Sequence, residues 1–277
     1  MGKFSKFFGT PRSSKLPSTD AGDRIYAIGD IHGRYDLFRA LLNKIEAHAA
    51  SLPPGKATHV ILVGDLIDRG PDSAKVLKLV YNIQKQTRNM TALLGNHEEL
   101  MVRALSGEPG MLNAWIKLGG GPTLRSFGLE VPKGTYDLRE FTQQVAQAVP
   151  REWVNWLQSM PLSARSGDYF FCHAGVRPGV AIKKQSRNDL LWIREEFLSN
   201  EDDHGVVVVH GHSVSSEVEL RSNRIGIDTG AYKTNTLTAL YLEGTERDII
   251  SCSFAAGEND SGAPSGTMAT RSDATAA

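Results

Sequence analysis

The sequence predicts an α/β domain that contains a second sheet. Three observations lead to this prediction: short apolar runs alternate with apolar residues at helical spacing, a mostly helical middle interrupts this order, and further strand patterns follow it. The 277 residues, 40% of them hydrophobic, can bury the core of one large domain or of two small ones. The chain contains no internal repeat, which favours one domain with two sheets.

The first part of the chain predicts strands and helices in strict alternation. Buried strands are indicated at 24–28 (RIYAI), 59–63 (HVILV) and 90–94 (MTALL). The apolar residues of the two intervening helices are Leu37, Phe38, Leu41, Leu42 and Ile45, then Val76, Leu79, Val80 and Ile83. Because crossovers of this kind are right-handed and join parallel strands, we expect the three strands to pair in parallel.

The middle of the chain, from about residue 106 to 165, is predicted to be mainly helical and to form a cap. Strand patterns return after it. They lie at 169–172 (YFFC), 206–209 (VVVV), 224–227 (RIGI), 236–242 (TLTALYL) and 248–254 (DIISCSF).

The two ends of the chain lack the patterns of packed structure. Residues 1–22 contain no apolar stretch of signal-peptide length and are predicted to be a flexible leader. Residues 255–277 are rich in Ala, Gly, Ser and Thr and are predicted to be a disordered tail. A single domain is therefore expected at 23–254.

Composition argues against several classes of partner. The 31 basic and 31 acidic residues cancel, so no global field attracts nucleic acid or an anionic membrane. No run approaches the roughly 20 apolar residues that span a bilayer. The two cysteines, Cys172 and Cys252, form no CxxC pair, which fits a reducing cytoplasm.

Polar motifs with glycines follow five of the predicted strands. They are GDIHG (Gly29–Gly33), GDLIDRG (Gly64–Gly70), GNHE (Gly95–Glu98), HAG (His173–Gly175) and GHS (Gly211–Ser213). Loops at the carboxyl ends of strands in open α/β sheets converge on one crevice. The side chains expected to face a common point are Asp30, His32, Asp65, Asn96, His173 and His212.

These six side chains have the chemistry of a divalent metal site. Imidazole nitrogens combined with carboxylate and amide oxygens, without thiolate, suit mid-series divalent ions, and Asp65 on the central loop could bridge two of them. A lone GDxHG would more often be turn chemistry. Three such motifs spaced by strand-helix-strand units form a far more specific pattern.

The motifs GDIHG, GDLIDRG and GNHE, in this order, resemble the signature of the phosphoprotein phosphatase family of calcineurin-like metallophosphoesterases. HAG and GHS match its two later histidine motifs, so the resemblance spans about Arg24 to Leu242. HAG and IGIDTGA (Ile225–Ala231) are most similar to the bacterial and lambda-phage-type serine/threonine protein phosphatases.

This resemblance implies a four-layer α/β/β/α sandwich with a helical cap insertion and two divalent metal ions at the sheet edge. Asp30, His32 and Asp65 would hold one ion. The second would be held by Asp65, Asn96, His173 and His212. Manganese is the expected metal, and iron or zinc also suits these ligands.

The resemblance also implies a mechanism that agrees with the needs of phosphate ester hydrolysis. Two ions would clamp phosphoryl oxygens and lower the pKa of bound water toward about 7, so that hydroxide attacks directly. His97 would protonate the leaving group as general acid, with Asp68 accepting its other N–H. Arg69, and Arg194 by context, would bind phosphate oxygens. For Arg194, an exposed ion pair with Glu195 or Glu196 is the alternative.

Three hypotheses on function follow. The first is a protein serine/threonine phosphatase, with phosphotyrosine or small phosphoesters as further substrates. The second is a dinucleoside polyphosphate hydrolase of similar fold; such relatives characteristically alter residues equivalent to His32 and Asp68, and both are intact here. The third is a metal-binding interaction module without turnover. A cytoplasmic monomer is expected in each case.

Other residues favour structural roles. The glycine-rich GGGPTLRSFG (Gly119–Gly128) lacks the ending of a P-loop and is interpreted as a cap hinge or turn. Trp115 is expected in the core, although a substrate groove is the alternative. His210 lies two positions before His212, and a structural role is favoured over substrate contact.

Overall fold

The computed structural model describes residues 16–54 and 57–255, which form ten strands and ten α-helices. The strands are β1 (Asp23–Ile28), β2 (Ala57–Leu62), β3 (Met90–Ala92), β4 (Ser163–Ser166), β5 (Tyr169–Cys172), β6 (Val207–His210), β7 (Glu219–Leu220), β8 (Arg224–Gly226), β9 (Thr236–Glu243) and β10 (Glu246–Ser253). The helices are α1 (Tyr35–Ser51), α2 (Ser73–Gln86), α3 (Asn96–Leu105), α4 (Met111–Trp115), α5 (Gly121–Ser126), α6 (Leu138–Ala148), α7 (Arg151–Ser159), α8 (Arg187–Trp192), α9 (Glu195–Leu198) and α10 (Ala231–Thr234).

The first sheet has the strand order β10-β9-β1-β2-β3. Its strands β1, β2 and β3 are parallel, and the crossovers between them carry α1 and α2, as the alternating pattern predicted. In register, Ile25 lies opposite His59, and Val60 lies opposite Met90. Strands β9 and β10 extend this sheet in the antiparallel direction on the other side of β1.

The second sheet has the order β4-β5-β6-β8-β7, with β5, β6 and β8 parallel and the two edge strands antiparallel. The edge strands β4 and β7 were not predicted, and β4 begins at Ser163, inside the segment expected to be helical. Neither strand has an apolar pattern in its sequence. Each forms by backbone pairing with its neighbour, β4 with β5 and β7 with β8.

Alternate residues of the strands form separate cores, which gives the protein four layers. In β1, Ile25 and Ala27 face a core between the sheets, whereas Tyr26 and Ile28 face α1 and α2. The second sheet places Phe171 in the shared core, and its opposite face packs against residues of α8 and α9. The predicted α/β/β/α sandwich is therefore confirmed.

The helical insertion, defined here as Met111–Ser159, contains α4 to α7 and packs on α2 and α3. Its buried residues Leu112, Trp115, Leu124 and Leu157 belong to the same core as the outer face of the first sheet. The insertion is thus continuous with the domain core. This continuity lets it make contact with the loops that follow the strands.

Part of the predicted leader is packed against the domain. The backbone N–H of Thr19 donates to the carbonyl of Gly244 at 3.0 Å, and Thr19 is buried. The rest of the leader, 1–15, and the predicted tail from residue 256 lie outside the described residues. Among those that are described, no helix has the length and apolar character needed to cross a membrane.

Candidate active site

The five motifs lie at the carboxyl ends of β1, β2, β3, β5 and β6, and direct hydrogen bonds connect their loops. The backbone N–H of His32 donates to the carbonyl of Asp65 at 2.9 Å, and that of Gly211 donates to the carbonyl of His173 at 2.9 Å. All six predicted metal ligands are buried, with exposed fractions of 6% or less: Asp30, His32, Asp65, Asn96, His173 and His212.

The backbone of these loops is unusual. Left-handed φ angles are adopted by His32, Asp65, Asp68, Arg69 and His212, which make up five of the six such non-glycine residues that the structure describes. Each such residue costs about 1–3 kcal/mol, and this cost is tolerated where surrounding contacts hold the loop. Gly95 is required for a different reason, since a Cβ there would lie 2.2 Å from Asp65 Oδ1.

Asp65 lies between two groups of side chains that could each hold a metal ion. The first group is His32, Asp65 and His97, and the second is Asp65, His173 and His212; within each, the candidate ligand atoms lie within 4.8 Å of one another. Asp65 Oδ2 is 3.6 Å from His32 Nε2, whereas Oδ1 is 3.4 Å from His173 Nε2. One carboxylate thus directs one oxygen to each group, as a bridging ligand would.

Asn96 belongs to the second group by position. Its Oδ1 is 2.8 Å from His173 Nε2 and 2.9 Å from His212 Nδ1. A neutral amide oxygen beside two imidazole nitrogens is a suitable set for a mid-series divalent ion.

The tautomers of two histidines fit metal binding. His32 Nδ1 is 2.7 Å from the carbonyl of Ile67, and His173 Nδ1 is 2.9 Å from that of Val63. A carbonyl accepts, so Nδ1 carries the proton and Nε2 presents its lone pair, the usual arrangement of a metal-bound histidine. His32 Nε2 is buried without a hydrogen-bond partner among the described residues. Burial lowers the pKa of His32 to about 3, which keeps the ring neutral.

Asp30 is oriented differently from the other predicted ligands. Its Oδ2 accepts from the backbone N–H of His212 at 3.0 Å, and it is absent from both groups around Asp65. Burial, together with the nearby carboxylates of Asp228 and Asp65, raises the pKa of Asp30 well above its ordinary value. Three buried carboxylates close together repel one another as anions, and a divalent cation would stabilise them in the ionised form.

Glu98 holds the loop that contains Asp65. Its two carboxylate oxygens accept from the backbone N–H groups of Asp65 (3.0 Å), Leu66 (2.8 Å), Ile67 (3.2 Å) and Gly95 (2.9 Å). The side chain is fully buried, and four donors to one carboxylate form a rigid link between the second and third motifs. Glu98 is the third residue of α3, so this helix and the Asp65 loop are fixed together.

His97, Asp68 and Arg69 form a chain of contacts next to the first group. His97 Nδ1 is 2.6 Å from Asp68 Oδ2, and His97 Nε2 is 3.1 Å from Arg69 Nη2. Burial disfavours the imidazolium, but the Asp65 and Asp68 carboxylates outweigh this effect and raise the pKa of His97. His97 Nε2 is also 3.8 Å from Asp65 Oδ2, but the Arg69 guanidinium donates to this nitrogen and so occupies the lone pair that a metal ion would need.

Arg194 is exposed and precedes α9. Burial lowers the pKa of His212, and the positive charge of Arg194 adds to this effect, so the guanidinium lies on the side of the second group. The alternative expectation was an ion pair with Glu195 or Glu196. Glu196 instead pairs with Arg177, and within residues 16–54 and 57–255 the Arg194 side chain forms no hydrogen bond or ion pair.

Four residues near the site were not predicted. Trp115 and Thr123 donate hydrogen bonds to Asp68, and Asp228 lies beside Asp30. The Tyr232 ring lies below the Arg69 guanidinium, with 4.7 Å between Cζ and the ring centroid, and meets His32 edge-on. Asp228 lies in the IGIDTGA motif, which was a usable signal.

The residues interpreted as structural pack as follows. Trp115 lies in the core, as expected, although its indole N–H reaches Asp68. His210 is buried against Phe197, with ring centroids 5.0 Å apart. The glycine-rich segment bends at Gly119, where φ is 129°, and then continues as α5.

Comparisons with known proteins agree with this geometry. The family model for calcineurin-like phosphoesterases matches residues 23–241. Serine/threonine-protein phosphatase 2 of Escherichia coli (strain K12) is 28% identical over 223 residues, covering 77% of this chain and 90% of that protein. The asymmetrical bis(5'-nucleosyl)-tetraphosphatase PrpE of Oceanobacillus iheyensis is 25% identical over 246 residues, covering 82% of this chain and 91% of that protein.

A solved structure supports the fold. The protein serine/threonine phosphatase from Saccharomyces cerevisiae with similarity to human phosphatase PP5 superposes with a TM-score of 0.53 at 14% identity, over 88% of this chain and 86% of that chain. The family match contains all five motifs and most of both sheets. The chain therefore belongs to the calcineurin-like phosphoesterase family, and it is a hydrolase of the metallophosphoesterase type.

Proposed function

We propose that this metallophosphoesterase is a phosphomonoesterase that dephosphorylates phosphoserine and phosphothreonine in proteins, with phosphotyrosine as a further substrate. The observation that carries this proposal is the buried His97–Asp68 pair next to the metal-fitting groups. A serine or threonine alkoxide is a strong base and must be protonated as it leaves. A nucleotide or polyphosphate leaving group is a much weaker base and has little need of such a donor.

Six residues would hold two divalent ions. Asp30, His32 and Asp65 would bind one, and Asp65, Asn96, His173 and His212 the other. Two such ions supply positive charge for the phosphoryl oxygens and lower the pKa of water toward about 7. We propose manganese as the metal; iron and zinc also accept these ligands.

Arg69 and His97 then act in sequence. In the structure the Arg69 guanidinium donates to His97 Nε2. A phosphate group offers Arg69 a stronger, doubly hydrogen-bonded acceptor, and the shift of Arg69 to the phosphate leaves Nε2 free to carry a proton. His97 donates that proton to the leaving oxygen, while Asp68 holds the other ring nitrogen and stabilises the imidazolium before transfer. Arg194 contributes charge from the solvent side.

Hydrolysis of dinucleoside polyphosphates is the second candidate. It is favoured by the similarity to the tetraphosphatase from Oceanobacillus iheyensis, which covers 82% of this chain. With relatives of both kinds at similar identity, the intact His32 and Asp68 do not by themselves separate the two activities. The hypothesis of a silent module is not retained, because the family is one of hydrolases.

The test is a comparison of kcat/KM on purified full-length protein with added manganese. The substrates are phosphoserine, phosphothreonine and phosphotyrosine peptides, and diadenosine tetraphosphate. We expect the phosphoserine and phosphothreonine peptides to be preferred and a chelator to abolish turnover. A kcat/KM for the dinucleotide that exceeds that for every peptide by about tenfold or more would overturn the proposal in favour of the second candidate.

A further inference from the structure

The helical insertion touches the GDLIDRG loop through one short segment. We call residues 115–126 the clamp segment; it begins at Trp115 and ends with α5. Trp115 Nε1 is 2.9 Å from Asp68 Oδ2 and 3.1 Å from Asp68 Oδ1, and Thr123 Oγ1 is 2.6 Å from Asp68 Oδ1. Two side chains of the insertion therefore donate to the carboxylate that also accepts from His97 Nδ1.

The clamp segment also holds the backbone of the same turn. The N–H of Asp68 lies 2.9 Å from Thr123 Oγ1 and 3.0 Å from Ser73 Oγ, and the N–H of Arg69 donates to the carbonyl of Gly119 at 3.1 Å. Asp68 and Arg69 have φ angles of 74° and 66°, which side chains other than glycine seldom adopt. These contacts hold the turn in an otherwise unfavourable conformation.

Water does not compete for these hydrogen bonds. Asp68, Trp115, Thr123 and Ser73 are all fully buried. The orientation of the Asp68 carboxylate is therefore determined by its protein partners, and a buried carboxylate that loses a donor rotates or attracts the proton of a neighbour. The nearest such proton is the one on His97 Nδ1, 2.6 Å away.

The clamp segment is itself tied to the body of the domain. Ser126 Oγ accepts from the backbone N–H of Ala74 at 3.0 Å, which caps the first turn of α2 from outside. The Asp72 side chain, at the usual capping position, makes no such bond. The spacing of Thr123 and Ser126, one helical turn apart, lets α5 reach the turn and the start of α2 together.

We propose that the clamp segment is a positioning element for the phosphoryl-transfer chemistry: Trp115 and Thr123 orient Asp68 and thereby fix the tautomer and direction of His97, while Gly119 fixes the backbone of Arg69. This inference rests on the role of His97 in the proposed function. A purely structural role would predict lower stability and an equal loss of rate on all substrates.

The test uses leaving groups of different basicity. Phenyl phosphate releases a more basic oxygen than p-nitrophenyl phosphate, so its hydrolysis depends more on the acid. Thr123→Val removes a donor and nearly preserves shape, whereas Trp115→Phe removes the indole N–H together with one ring. We expect each to lower kcat on phenyl phosphate by roughly tenfold or more, with a clearly smaller loss on p-nitrophenyl phosphate and KM within about twofold. Thr123→Ser restores the hydroxyl and should recover most of the rate.

Trp156→Phe is the matched control. It removes a tryptophan donor of the same insertion, whose Nε1 is 2.7 Å from Gln84 Oε1, away from the turn. We expect kcat on both substrates to stay within about twofold of the wild type. If this control loses the same rate on phenyl phosphate as Trp115→Phe, the inference is overturned.

A second measurement does not depend on turnover. In chelator-treated protein labelled with ¹⁵N-histidine, the His97 Nδ1 proton should give a downfield NMR signal, assigned by its absence in His97→Asn. We expect Thr123→Val to change the position of this signal, because the Asp68 carboxylate loses a donor, and Thr123→Ser to restore it. An unchanged signal in Thr123→Val, an equal rate loss on both substrates, or failure of Thr123→Ser to recover the rate would overturn the inference.

The two proposals fail separately. If His97→Asn keeps full activity on phenyl phosphate, the role of His97 is wrong and both proposals fall. If His97→Asn is slow but Thr123→Val is not, only the clamp segment loses its role. Should Trp115→Phe fail to fold, as judged by circular dichroism, the Thr123 pair decides the outcome.

Discussion

The two sides of Asp65 are built in different ways. On one side, His173, Asn96 and His212 come from loops at strand ends, and a backbone carbonyl at the end of β2 orients His173. On the other side, Asp68 and Arg69 depend on contacts from the helical insertion. The sheets thus place the metal-fitting groups, whereas the insertion holds Asp68 and Arg69, the residues proposed to orient the proton donor and to bind phosphate.

This difference should allow metal binding and proton transfer to be lost separately. Damage to the strand-end loops should remove metal, and turnover with it. Damage on the side of the insertion should slow proton transfer while metal remains bound. Variants on the two sides therefore test whether the division is real.

The largest effect is expected for Asp65→Asn. The substitution removes the negative charge of the carboxylate proposed to bridge both groups, so we expect both ions to be lost. We expect kcat to fall by more than roughly 10⁴, the upper limit for losing one acid–base group. Elemental analysis of the purified protein measures the metal content. Asp72→Asn, at a partly exposed ion pair with Lys75, is the control and should keep two ions. Full metal content in Asp65→Asn would contradict the bridge.

His97→Asn should affect the other side alone. We expect kcat on phosphopeptides to fall by roughly 10²–10⁴, because the leaving oxygen loses its proton donor, while two ions stay bound. Kinetics and elemental analysis of the same preparation measure both properties. Loss of one ion in this variant would instead make His97 a ligand, as its proximity to His32 and Asp65 permits.

Glu98→Gln should loosen the loop that contains Asp65, which belongs to both metal-fitting groups. The amide keeps one acceptor oxygen and turns an NH₂ group toward two backbone N–H donors. We expect a loss of about 3 kcal/mol in the free energy of unfolding, the scale for hydrogen bonds to a charged group. Urea denaturation of chelator-treated protein measures it. Glu108→Gln, at an exposed pair with Arg103, is the control and should leave the free energy of unfolding nearly unchanged. Equal costs would show that Glu98 does not brace the loop.

The smallest effect is expected for Arg194→Ala. The side chain is exposed, so its charge is screened, and we expect KM to rise by about three- to tenfold with little change in kcat. Steady-state kinetics on a phosphoserine peptide measure both constants. Arg221→Ala, an exposed arginine paired with Glu219, is the control. A large drop in kcat would instead assign Arg194 to the transition state.

Much of the fold could be predicted because buried strands and helices leave periodic patterns. Strand β1 and the buried face of α1, with Leu37, Phe38, Leu41 and Ile45, follow directly from the spacing of apolar residues. Strands β4 and β7 could not be predicted, because SARS and EL have no such pattern and depend on pairing with a neighbouring strand.

In the site, motif residues were predictable, whereas their supports were not. The proposed ligands belong to local motifs that side-chain chemistry singles out, and the family resemblance added the role of His97. Trp115 and Thr123 contact Asp68 across 47 and 55 positions, and an indole or a hydroxyl in a helical segment carries no sign of that contact. The sequence indicated a hinge or turn in the glycine-rich stretch. It gave no sign that the carbonyl of Gly119, at the bend, accepts from the backbone N–H of Arg69.

The division of the ligands between two sheets has a consequence for the lifetime of the protein. Asn96 follows the first sheet, whereas His173 and His212 follow strands of the second, so an ion held by all three would join the halves of the sandwich. An unfolded chain scatters these groups. Metal at 100 times its dissociation constant would add about 2.7 kcal/mol to the stability of the assembled state. The supply of metal would thus affect how long the folded protein persists as well as how fast it turns over substrate.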